Sequence, residues 1–73
     1  MDMNFFERVL QHISDAKELL DEVESLATEI NNKLNEPNFS NVKKISNLVR
    51  VLSLIESEIQ LAREYATAML NTK

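Results

Sequence analysis

Leu34-Asn35-Glu36-Pro37-Asn38-Phe39-Ser40-Asn41-Val42 holds the chain's one proline among five polar residues, and its reading decides the fold. Proline lacks a backbone donor and drives the residue before it away from helical dihedrals, so a helix arriving from the N-terminal side must end near Asn35. Ser40 or Asn41 stands where a new helix needs a cap, and Phe39 is placed to lie over its first turn as a hydrophobic staple. On either side of this break the apolar residues keep a heptad rhythm. They fall at Phe6, Val9, Ile13, Ala16, Leu20, Val23, Ala27, Ile30 and Leu34, and again at Ile45, Leu48, Leu52, Ile55, Ile59, Ala62, Ala66 and Met69. Steps of three and four in alternation are the pattern of helices that each offer a seam to a partner.

The chain therefore reads as a single all-α domain over 1–73, an antiparallel two-helix hairpin with coiled-coil-like packing. The first helix is expected over about 4–35, opened by Asn4 and Glu7 as a capping box, the loop over 36–40, and the second helix over about 41–71. Each helix of roughly 31 residues would be about 47 Å long. A loop this short makes the two helices antiparallel neighbours. Laid together so that facing position numbers add to 75, the seams pair Ile30 with Ile45, Val23 with Leu52 and Leu20 with Ile55. The alanines then meet large residues, Ala27 with Leu48, Ala16 with Ile59, Ala62 with Ile13 and Ala66 with Val9, an alternation that keeps a core dense.

A second apolar stripe remains: Phe5, Leu19 and Leu26 on the first helix, and Val51, Leu54, Leu61, Tyr65 and Ala68 on the second. A lone hairpin of 73 residues exposing such a band is expected to cover it, because a chain this short buries little surface by itself. Homodimerisation into a four-helix bundle is the simplest closed solution, with Phe5, Leu19, Leu26, Val51, Leu54, Leu61 and Tyr65 as the interface. His12 and Glu58 interrupt the two stripes. His12 reads as a rim or half-buried residue rather than a ligand. Glu58 reads as a rim residue in preference to a polar device that fixes the register between subunits.

Composition closes other routes. There is no Cys and no Gly, so disulfides, thiolate metal sites and Gly-rich phosphate loops are absent. The start Met-Asp-Met-Asn lacks the basic opening of a signal peptide and no apolar run is long enough to span a bilayer, which makes a cytoplasmic, membrane-free protein the expectation. The abundance of Asn, Ile, Lys and Glu suggests a bacterial or phage genome by association alone. Catalysis needs a constellation, and a single His with no Cys and no Ser placed beside a base supplies none. The Glu-x-x-His pair of a di-metal bundle fails because Val9 stands three residues before His12. No enzyme activity, cofactor or metal is expected.

The net charge of −4 is unevenly spread. Residues 1–36 hold nine acids and three bases, and residues 40–73 five bases and three acids. This argues against general nucleic-acid binding. The expected function is a non-enzymatic interaction module that self-associates and serves as an adaptor, regulator or inhibitor of another protein. An acidic face of Asp15, Glu18, Asp21, Glu22 and Glu29 would suit a basic groove. Two alternatives stand beside it: an oligomer that gathers Lys43, Lys44 and Arg50 around an anionic ligand such as a nucleotide, and an obligate subunit of a hetero-complex.

Overall fold

The structure, a computed structural model, describes residues 5–36 and 41–71. Two helices account for nearly all of them: α1, Phe5–Lys33, and α2, Val42–Leu70, 29 residues each. Good helix formers fill both without a Gly or Pro, so backbone propensity and an apolar stripe agree along the whole length. Phe5 meets Tyr65, His12 meets Glu58, and Glu29 meets Lys44, so rising numbers in α1 face falling numbers in α2. The hairpin is antiparallel, a rod with extents of 59 × 15 × 14 Å.

The helix ends follow local chemistry. α1 stops at Lys33, two residues before the expected end, where Glu36 N–H donates to the Lys33 carbonyl at 3.1 Å and closes a turn. Glu7 in the first turn and Lys33 in the last oppose the helix dipole with the favourable sign. Asn41 precedes α2 but makes no side-chain capping bond; its carbonyl accepts from Ile45 N–H at 2.8 Å. At the far end the Asn71 N–H is shared between the Thr67 and Ala68 carbonyls. That closure needs no left-handed residue, as befits a chain without glycine. The Asn4 cap, the Pro37 break, the Phe39 staple and the Ser40 cap lie outside the described residues.

The seam between the helices differs from the expected one by a rotation of each helix. Val9, Ala16, Ile30, Val51 and Ala62 are buried, and Val51, 1% exposed, is the best covered. Half-buried residues fill in the heptad: Phe5, His12, Leu19, Val23 and Leu26 on α1, and Lys44, Leu48, Ile55, Glu58 and Tyr65 on α2. Much of the expected seam is instead exposed, including Phe6, Ile13, Leu20, Ile45, Leu52 and Ile59. Each helix carries three adjacent rows of largely apolar residues, and any two neighbouring rows make an acceptable heptad seam. The inner row, Val9, Ala16, Val23, Ile30 with Leu48, Ile55, Ala62, is common to both solutions. The fold joins it to the row that contains His12, Lys44 and Glu58.

Candidate functional site

Two features stand out on this scaffold: a polar cluster set into the seam, and an apolar row left outside it. The cluster begins with His12, whose Nδ1 lies 2.6 Å from Glu58 Oε1 across the helices. With the carboxylate as acceptor, the tautomer that completes this bond carries its hydrogen on Nδ1. Their side chains are 19% and 25% exposed, close enough to water to be reached and buried enough to be held. Tyr65 stacks on the imidazole at 5.8 Å with 15° between the planes, and Phe5 meets Tyr65 edge-on at 5.7 Å. The ring is thus clamped from one side by aromatic packing. One turn along α1, Asp15 brings a third donor, and the ligand atoms of His12, Asp15 and Glu58 all lie within 4.8 Å of one another. Gln11 Nε2 donates to Asp15 Oδ1 at 3.1 Å and orients that carboxylate.

Beside the cluster, Asp15, Glu18, Leu19, Glu22, Leu54 and Glu58 line a shallow hollow whose charged members are all acids. Of the expected acidic face, Glu18, Asp21 and Glu22 are exposed and Asp15 is half-buried. Glu29 is engaged: Lys44 Nζ donates to its Oε2 at 2.8 Å, and Lys33 Nζ stands 3.7 Å away. The hydrogen bond from Lys44, with its charge and that of Lys33, holds the Glu29 carboxyl below the usual carboxylate range.

Lys43, Lys44 and Arg50 do come together, around a hollow they share with Leu26, Ser46 and Asn47. Two of the three are turned to neighbours. Lys44 reaches Glu29, and Arg50 donates through Nε and Nη2 to Asn47 Oδ1 at 3.2 and 2.6 Å.

The seven residues expected to meet a partner divide. Val51 is buried within the hairpin, Phe5, Leu19, Leu26 and Tyr65 are half-buried along its seam, and Leu54 and Leu61 are exposed at 43% and 39%. The larger exposed surface is the row on the opposite flank: Phe6, Ile13, Leu20 and Ala27 of α1 beside Ile45, Leu52 and Ile59 of α2. Leu10, Val42, Val49 and Leu70 extend it outward.

In the sequence His12 and Glu58 read as separate interruptions of two stripes, and Asp15 has only a place on an acidic surface. The signal that joins them is positional. His12 and Glu58 occupy equivalent heptad positions on antiparallel helices, and Asp15 follows His12 at a spacing that shares its face. Among the described residues no helix is long and apolar enough to cross a membrane. Comparison with protein-family models, with curated proteins and with solved structures gives no match, and the geometry of the hairpin itself carries the functional reading.

Proposed function

We propose that this hairpin is one half of a homodimeric four-helix bundle, a non-enzymatic module that acts through protein contacts. The observation that carries the reading is the outer row. Every member of it is apolar, whereas the row turned inward contains a histidine, a lysine and a glutamate. An isolated chain would gain more by burying the outer row and leaving the polar one wet. The arrangement makes physical sense when a second copy covers that row. A face of 59 by 15 Å offers on the order of 900 Å², which matches the roughly 800 Å² per partner of a stable interface.

Charge at the edge of the face favours a two-fold axis parallel to the helices. His12 meets Glu58 and Tyr65, so Lys17, five residues further along α1, is level with 53–60 of α2. Glu56 is the exposed acid of that stretch, beside Ile59 of the outer row, and each chain's Lys17 would face its copy's Glu56. The dimer leaves Glu18, Asp21 and Glu22 outward to meet a basic surface on a target, the adaptor or inhibitor role.

Sedimentation equilibrium across about 1–100 µM tests the reading. The expected mass is twice the 8.4 kDa chain, and a single-chain mass throughout would overturn it. Lys17→Glu or Glu56→Lys alone should weaken the dimer, and the two together should restore it. Indifference to the swap would reject this axis.

A further inference from the structure

We propose that His12, Asp15 and Glu58 form a binding site for a first-row divalent cation, of which zinc is the natural probe, clipping α1 to α2 within each chain. This goes beyond the dimer and is independent of it, since all three donors belong to one hairpin. Three donors around one such ion stand about 3 Å apart, because bonds to nitrogen and oxygen are about 2.0–2.2 Å long. Here the three ligand atoms already lie within 4.8 Å of one another, and His12 Nδ1 and Glu58 Oε1 are at 2.6 Å. The remaining adjustment to that spacing falls to the carboxylate side chains of Asp15 and Glu58. One imidazole with two carboxylates suits zinc, manganese, cobalt or nickel better than calcium or magnesium, which take oxygen donors.

Three further features fit a cation. The imidazole plane is fixed by Tyr65, itself packed by Phe5, so the nitrogen is held in place before a ligand arrives. Gln11 holds the Asp15 carboxylate from outside, the orienting role that neighbouring groups play around metal ligands. The adjoining hollow adds Glu18 and Glu22 and no base, which concentrates cations at the opening. Binding exchanges one bond for three. The hydrogen on Nδ1 moves to Nε2 or leaves to solvent, and the freed lone pair, an Asp15 oxygen and a Glu58 oxygen take the metal. Water completes the coordination shell on the exposed side.

The test is titration of the full chain with zinc chloride by calorimetry, and with cobalt(II) by visible absorption, at neutral pH. One ion per chain is expected, with a rise in Tm on binding. Asp15→Asn leaves the His12–Glu58 bond in place and should weaken affinity by at least about tenfold. His12→Ala should abolish the cobalt spectrum. Absence of saturable binding by about 1 mM zinc would overturn the site. So would wild-type affinity and stoichiometry in Asp15→Asn and His12→Ala, which would place the ion on surface carboxylates. Circular dichroism of each variant checks that the hairpin is intact, and Asp15→Asn keeps the test decisive if His12→Ala unfolds.

Discussion

Leu20→Glu combined with Ile59→Glu places one charge on each helix in the middle of the outer row. The two side chains are 51% and 49% exposed in the single hairpin, so about half of each remains for a partner to cover. Full burial of a Leu or Ile contributes about 1.5–3 kcal/mol, so the uncovered half is worth roughly 1 kcal/mol. A two-fold dimer counts each substitution twice, which makes the lost apolar contribution about 4 kcal/mol. That alone weakens the dissociation constant by about three decades, and enclosing four carboxylates against apolar neighbours adds to it. Glutamate is as good a helix former as the residues replaced, so helicity should stay near the wild-type value once the chains separate. Sedimentation equilibrium with parallel circular dichroism reads both quantities. The pair Leu54→Glu and Leu61→Glu, exposed on the opposite flank, is the control and should leave the dimer assembled. Dissociation by that pair with none by Leu20→Glu and Ile59→Glu would refute the assignment and move the interface to the other flank.

Val51, 1% exposed, is the best-covered large side chain, and Val51→Ala should cost about 2 kcal/mol of unfolding free energy in urea titration. Asn41 makes no side-chain capping bond, so Asn41→Ala should change Tm far less than the loss of a working cap, about 1 kcal/mol, would. Glu29 has its carboxyl lowered by Lys44 and Lys33, so its stabilising contribution is present above the unfolded carboxylate range and disappears as pH falls through the lowered value. The Tm gap between wild type and Glu29→Gln should therefore narrow on acidification, and a constant gap would dissociate the stability of the hairpin from this ion pair.

The hairpin is legible in the sequence because its signals are local. Steps of three and four are visible in one dimension, and Pro37 interrupts them once. The helix ends are less so. Asn41 has the right identity for a cap, yet its side chain makes no capping bond and only its carbonyl is engaged, by the Ile45 N–H, which residue type alone does not reveal.

The choice of seam lies beyond periodicity, and His12 explains why. Apolar counting makes the row of His12, Lys44 and Glu58 the worse one for the seam within the chain, and so leaves its apolar members for a partner to cover. Counting polar partners lowers the cost of that choice: His12 finds Glu58, Lys44 finds Glu29, and no buried side-chain polar atom among the described residues lacks a partner. A polar group buried with a partner costs little, whereas one buried alone costs a few kcal/mol. Such pairs are cross-helix facts that neither helix shows by itself. With them formed, the row with no polar member lies on the outside of the hairpin, the face that the proposed second copy would cover. Pairing thus makes the inward polar row tolerable, and the cover proposed for the outer row supplies the apolar gain that a single hairpin forgoes. Replacing His12 and Glu58 together by leucine should leave Lys44 as the one charge of their row on α2, bring that row close to the outer one in apolar character, and so weaken the preference of the hairpin for one orientation. Loss of a single sedimenting species in that variant, with helicity retained, would be the mark of two competing seams. A clean dimer with the wild-type mass and sharpness of melting would show that the polar pair has no part in choosing between them.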